Sequence, residues 1–384
     1  MAKKKITILG STGSIGTSSL SVIDSLSDDF ELIAASAHSN WQQLALQARK
    51  YNLEKVVLTS VSGGKQLRDE LKGTKTEVLI GAEFLPELAV DDRCDILIVS
   101  IVGAAGLPAV LAATEAGKTI AIANKESLVV AGCLLMPMAK KYGATILPVD
   151  SEHSAILQAM HSGNRSEVEK LIVTASGGPF RKASLETIKN ATLEDALNHP
   201  TWSMGTKISI DSATMMNKAL ELIEARWLFD MPADQMEVMV HPESIVHSMV
   251  EFCDGSVIAQ LSPPDMRLPI QYAMTFPDRR PCPAKRLTLA DISNLTFEAP
   301  DFDRFPAIAL GFAVAQKGGT AGAVLNAANE AAVGAFVNGS IGFMQISELA
   351  EQILNSHPWI EKPDLEQLLA ADQWARDQVA TLIK

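Results

Sequence analysis

At 384 residues, with 47% hydrophobic and 20% charged side chains, the chain holds enough apolar material for two or three globular domains and does not read as disordered. A net charge of −12 disfavours long-range attraction to nucleic acid or anionic lipid, and no Lys/Arg-rich stripe follows the first five residues. The four cysteines, Cys94, Cys133, Cys253 and Cys282, show neither metal spacing nor disulfide density, which excludes a disulfide scaffold and suits a reducing cytoplasm.

The start MAKKKITILG runs straight into a strand and a glycine turn, without the long apolar segment and cleavage site of a secretion signal, and no transit peptide is apparent. KITILGSTGSIG sets Gly10, Gly13 and Gly16 between that strand and a helix predicted over TSSLSVIDSL. Glycines there let the backbone approach a pyrophosphate, and the first N–H groups of the helix, with the hydroxyls of Ser11, Thr12 and Ser14, can donate to it. The spacing G-x-x-G-x-x-G departs from the dinucleotide pattern G-x-G-x-x-G. Its context is a doubly wound α/β order, with FELIAASA, EKVVLTS, DILIVSIVG and TIAIANKES reading as second to fifth strands alternating with helices. Where the second strand ends, an NAD enzyme carries an acid for the ribose hydroxyls; here stand Ala37, His38, Ser39 and Asn40. That predicts NADP over NAD, with His38, Ser39 and Asn40 near the 2′-phosphate, although His38 reads equally as a loop bystander. The uncharged run from Ile96 to Ala113 approaches the length of a membrane span, but Gly103, Gly106 and Pro108 interrupt it. A buried strand, a turn and a helix are expected instead.

Further along, TILPVDSE reads as a strand, so Asp150 and Glu152 point to one face about 6.6 Å apart along it, and His153 faces away. In DSATMMNKALELIEARW, Met216, Leu220, Ile223 and Trp227 recur at helical spacing as a core stripe, which leaves Asn217, Lys218 and Glu221 on the open face. Three carboxylates brought together, Asp150, Glu152 and Glu221, form an oxygen cage for Mg²⁺ or Mn²⁺. The bland alternative is a strand end and a solvated helix face.

LIVTASGGPF repeats the strand-then-glycine pattern at Ser176, Gly177 and Gly178. With Ser212, Asn217 and Lys218 it supplies hydroxyls, an amide and one ammonium, a set suited to a phosphate monoester; alone it is a plain turn before Pro179. NHPTWSMGTK places His199, Trp202, Met204 and Gly205 in a short loop, read as a lid that excludes water, with partial core as the alternative for Trp202. His241 and His247 have no ligand spacing and are read as satisfied core histidines.

The expected organisation is a Rossmann-like cofactor domain over 1–149 and an α/β domain over 150–276 opened by the strand bearing the acidic pair. A Pro- and charge-rich linker over 277–306 and a C-terminal helical bundle over 307–384 follow. No internal repeat is visible.

GSTGSIG, IVGAAGL, ANKESLVVAG, PVDSEH, SGGPF, HPTWSMG and SATMMNKALELIEA, in this order and across essentially the whole chain, resemble the 1-deoxy-D-xylulose 5-phosphate reductoisomerases of the non-mevalonate isoprenoid pathway. The resemblance implies an NADP-dependent oxidoreductase that rearranges and reduces 1-deoxy-D-xylulose 5-phosphate to 2-C-methyl-D-erythritol 4-phosphate with NADPH and Mg²⁺, Mn²⁺ or Co²⁺. It implies a homodimer as well. Carried onto matching positions, it makes Asp150, Glu152 and Glu221 the metal ligands, and Lys125 a catalytic residue beside them. Lys125, Ser151, Glu152, Ser176, His199, Ser212, Asn217, Lys218 and Glu221 would bind substrate. Thr12, Gly13, Ser14, Ile15, Asn40, Asn124, Glu126 and Gly205 would bind cofactor. The chain departs from the family at His38 and Ser39, where many members have Gly and a Lys or Arg before the Asn. Two rival readings are a metal-dependent sugar-phosphate lyase or phosphatase without hydride transfer, and a non-catalytic NADP-binding sensor.

Overall fold

The computed structural model describes residues 2–202 and 204–383; Ser203, inside the expected lid, lies outside the described residues. The chain divides into two compact units that interleave in sequence. The first comprises 1–127, 135–154 and 265–285, and the second 128–134, 155–264 and 286–384.

The first unit alternates strands and helices as far as the seventh strand. β1 Lys4–Leu9, α1 Ser14–Ser25, β2 Phe30–Ala37, α2 Trp41–Tyr51, β3 Lys55–Leu58, α3 Gly64–Glu70 and β4 Glu77–Ile80 build one half. α4 Leu85–Ala89, β5 Ile96–Val99, α5 Leu107–Glu115, β6 Thr119–Ile122, α6 Lys125–Tyr142 and β7 Thr145–Pro148 build the other. The sheet order is β4-β3-β2-β1-β5-β6-β7, with every pairing parallel. Strands β2, β5 and β6 are almost wholly buried, as a sheet covered on both faces requires. The order reverses between β1 and β5, the switch point at which open α/β sheets hold their ligands. The fold class is the one expected.

Two corrections follow. A strand absent from the sequence reading, β4, occupies the sheet edge; its four residues EVLI are only partly buried and lie close to turn residues, which hides their period. TILPVDSE is not one strand opening a second domain. β7 ends at Pro148, pairs with β6 as the last strand of the first sheet, and α7 Ser151–Met160 starts at once. Asp150 is the hinge between them: its Oδ1 accepts from Ser151 N at 3.0 Å and its carbonyl from Ser154 N at 2.9 Å. An Asp before a helix and a Glu in its first turn are favourable capping choices, so the helical signal was present.

The second unit carries β8 Val168–Ala175, α8 Leu185–Lys189, α9 Leu193–Leu197, α10 Thr206–Ala213, α11 Met216–Leu228, β9 Met236–Val240, β10 Val246–Phe252 and β11 Val257–Leu261. Its sheet runs β11-β10-β8-β9, with β8 and β9 parallel and the other pairs antiparallel. After α12 Arg267–Thr275, which returns to the first unit, come α13 Ala307–Lys317, α14 Ala321–Val337, α15 Gln345–Ser356 and α16 Leu365–Leu382. α13 packs on α11, and α14 packs on α15 and α16, giving the helical C-terminal region. No helix among the described residues is long and apolar enough to cross a membrane.

Candidate active site

In the first unit β1 delivers the chain to Gly10, whose φ of +90° starts the turn. Ser100 Oγ donates to Leu9 O at 2.7 Å, tying the ends of β1 and β5 across the switch point. Gly13 caps α1 without any side-chain hydrogen bond, so the helix begins with Ser14 and Ile15 and its N-terminus is not closed by its own cap. A Cβ at Gly16 would lie 2.4 Å from Gly10 O, so only glycine permits this approach of helix to turn. Ser11 departs from expectation. Fully buried, its hydroxyl donates to Gln47 Oε1 at 2.6 Å and to Ser36 O at 3.2 Å, so it braces the turn from behind.

At the adjoining strand ends Asn40 caps α2 by accepting from Gln43 N at 3.1 Å, and His38 Nδ1 lies 2.8 Å from Thr59 Oγ1. Asn124, buried before α6, donates through Nδ2 to Ile101 O at 2.7 Å, Gly103 O at 2.8 Å and Glu126 Oε2 at 3.1 Å. Asn124 and Glu126 thus fix the loop after β5. Lys125 pairs with Asp150 Oδ2 at 2.7 Å while itself buried. Ser151 Oγ donates to Glu152 Oε2 at 2.5 Å. His153, expected to face away on a strand, lies in the first turn of α7 and is buried there.

In the second unit β8 ends at Ala175, Ser176 follows it, and Gly177 and Gly178 come next at positive φ. Their turn presses on α10: a Cβ at Gly178 would sit 2.6 Å from Ser212 O. Ser176 Oγ meets His199 Nε2 at 3.0 Å. The amides of Thr201 and Trp202 both donate into His199 Nδ1, at 3.1 and 2.9 Å. Nδ1 is therefore the unprotonated nitrogen, and Nε2–H donates to Ser176. Burial lowers the His199 pKa from its ordinary value, which favours this neutral ring. Trp202 makes an edge contact with His247 at 6.5 Å, and Gly205 caps α10 with open space where a Cβ would be. His247 and His241 are buried, bonded to Ser262 O at 3.1 Å and Thr296 O at 2.8 Å, as core histidines should be.

Met215, left-handed at φ +61°, turns α10 into α11. The first two turns of α11 bring Asn217, Lys218 and Glu221 together, both nitrogens donating to the Glu221 carboxylate. The expected open face is a correction: Lys218 is 3% and Glu221 0% exposed, because α11 is covered all round rather than along one stripe. Such a buried pair is stable only when the carboxylate is well bonded, which these two donors supply. The second unit therefore gathers Ser176 with His199, and the α10 turn with Gly178, leading directly into the Lys218 cluster.

Family profiles for the reductoisomerase itself and two descriptions of its C-terminal domain match residues 6–132, 146–229 and 261–378. The curated 1-deoxy-D-xylulose 5-phosphate reductoisomerase of Chlorobium chlorochromatii is 48% identical over 99% of this chain and 100% of that one. The chain belongs to the 1-deoxy-D-xylulose 5-phosphate reductoisomerase family. Among solved members of this reductoisomerase family, that of Zymomonas mobilis in complex with NADPH superposes with a TM-score of 0.93 at 45% identity, covering 100% of both chains. Another, in complex with NADPH, fosmidomycin and magnesium, gives 0.94 at 40% identity over 99% and 98%. The reductoisomerase reading overlooked the buried Ser36 and the partly buried Ser100, at the ends of apolar strands, because a serine there belongs to no motif.

Proposed function

We propose that this chain converts 1-deoxy-D-xylulose 5-phosphate to 2-C-methyl-D-erythritol 4-phosphate with NADPH as reductant, in the non-mevalonate route to isoprenoid precursors. The observation that carries the reading is the end-to-end match to reductoisomerases, one of them solved with NADPH, fosmidomycin and magnesium. In this proposal residues 1–149 serve the cofactor, 150–276 the cation and substrate, 277–306 link, and 307–384 support. We also propose a homodimer in the cytoplasm; sedimentation at a monomer mass would refute the dimer.

Thr12, Gly13, Ser14 and Ile15, at the uncapped start of α1, receive the cofactor pyrophosphate. Asn40 holds the ribose end beside His38 and Ser39, and Asn124, Glu126 and Gly205 complete the cofactor side. NADPH when bound supplies the hydride. Asp150, Glu152 and Glu221 are all oxygen donors, which fits Mg²⁺, Mn²⁺ or Co²⁺. The cation when bound supplies Lewis-acid polarisation of substrate oxygens.

The chain's own groups do the rest. Lys125 holds Asp150 in place through their ion pair and donates to a substrate hydroxyl, and Ser151 donates alongside Glu152. His199 Nε2–H, Ser176, Ser212, Asn217 and Lys218 grip the phosphate, with Lys218 its full positive charge. The segment from His199 to Gly205 closes over the substrate and excludes water.

Absorbance at the NADPH band decides the reading. Oxidation should require both 1-deoxy-D-xylulose 5-phosphate and Mg²⁺, and should fall at least 100-fold in Glu221→Gln. Phosphate release or carbon–carbon cleavage without NADPH oxidation would overturn it in favour of a lyase or phosphatase. NADH used as well as NADPH would overturn the role given to His38, Ser39 and Asn40.

A further inference from the structure

We propose that Asp211 and Asn329 are positioning residues for phosphate recognition: a buried hydrogen bond from α14 fixes the last turn of α10 and, through it, Ser212. The inference rests on the reading of Ser212 and Lys218 as part of the phosphate grip. Asp211 is 1% exposed, and its two carboxylate oxygens have different partners. Lys207 Nζ donates to Oδ2 at 2.8 Å from one turn earlier on the same helix. Asn329 Nδ2 donates to Oδ1 at 2.8 Å from 118 residues further along the chain. Burying a carboxylate is costly unless its oxygens are bonded, and burying an amide likewise. Asn329 is 0% exposed on a helix otherwise built largely of small apolar residues, AGAVLNAANEAAV, so the bond through its Nδ2 offsets part of the cost of burying each group.

The location makes this more than a core contact. Asp211 directly precedes Ser212, whose carbonyl lies against Gly178 of the turn that carries Ser176. Thr214 Oγ1 donates to the carbonyls of Ile210 and Asp211, at 3.1 and 3.2 Å, and closes the same turn. Met215 then reverses the chain into α11, where Asn217 and Lys218 stand on the first turn. Lys207 follows Gly205 by two residues, so the same carboxylate anchors the end of the lid segment. A small shift of this turn displaces Ser212 relative to both Ser176 and Lys218, and misplacement by about 1 Å weakens binding steeply.

Steady-state kinetics with 1-deoxy-D-xylulose 5-phosphate and NADPH, and calorimetric titration with inorganic phosphate, test the role. Asn329→Leu keeps the side-chain size and removes the amide. It should raise the sugar-phosphate KM and the inorganic-phosphate Kd about tenfold, as loss of a hydrogen bond to a charged group does. The NADPH KM and kcat should stay within twofold. The exchange Asp211→Asn with Asn329→Asp should recover at least threefold of the loss seen in Asn329→Asp alone. A sugar-phosphate KM within twofold of the parent, a parallel rise in the NADPH KM, or no recovery in the exchange would each overturn the proposal. Failure of Asn329→Leu, Asn329→Ala and the exchange all to fold would overturn it too, in favour of a structural role. An inert parent protein would count against the reductoisomerase reading alone, and the phosphate titration would then decide the positioning role.

Discussion

Lys218 on the first turn of α11 and Glu221 on the next form a buried pair, so removing the ammonium has two consequences. Lys218→Met takes the only full positive charge from the proposed phosphate grip, and it leaves a buried carboxylate without its cation. The substrate KM should rise at least tenfold, and stability by chemical denaturation should fall by about 3 kcal/mol, the typical cost of breaking a buried pair from one side. An unchanged KM would refute the phosphate role, and unchanged stability the buried pair. From the sequence, a lysine three residues before a glutamate reads as a solvated helix couple; only its covering shows otherwise. His199 gives a pH dependence of definite sign. Its pKa is lowered from 6.5 in the folded chain, so as pH falls below 6.5 the unfolded chain takes up a proton that the folded one resists. Stability therefore rises with pH through the window from the lowered folded value up to 6.5. Unfolding at pH 7.5 and 5.5 should show a larger acid loss in the parent than in His199→Gln; equal losses would exclude the buried neutral ring.

The glycine turn and α1 form one device at the scale of elements. Gly16 permits α1 to start against Gly10 O, and the open N-terminus follows from Gly13 having no capping side chain. Gly16→Ala should cost about 1–3 kcal/mol by overpacking, and should weaken NADPH binding, followed by its fluorescence, at least tenfold. NADPH binding unaltered in a stable Gly16→Ala protein would separate the turn from the cofactor. This element was legible because strand, glycines and helix are contiguous. α7 was misread because PVDSEHSA offers only a few residues of pattern, too short to tell a strand of period 2 from a capped helix turn. β4 was missed for the same reason at the sheet edge.

For the molecule as a whole, the informative feature is the return of α12 to the first unit. Pro269 to Thr275 are buried, and the helix packs on α1, β6 and β7. Ile270, Tyr272 and Met274 alone contribute roughly 1.5–3 kcal/mol each by burial, a large share of the ~5–15 kcal/mol by which a typical domain is stable. Residues 2–154 expressed alone should therefore be unfolded or aggregated, and fusing 265–285 through a flexible linker should restore a cooperative thermal transition. Equal melting of the two fragments would refute this account. The alternation of apolar strands and periodic helices, the glycine turns, the identity of the acids and the family itself were determined by the sequence, because each depends on residues close together in the chain or on motifs in order. Tertiary structure alone decided that α12 joins the first sheet, that Lys218 and Glu221 are buried, which nitrogen of His199 carries the proton, and that Asn329 reaches Asp211. Burial and long-range hydrogen bonds depend on segments far apart in sequence, and local periodicity carries no record of which distant segment covers a given face.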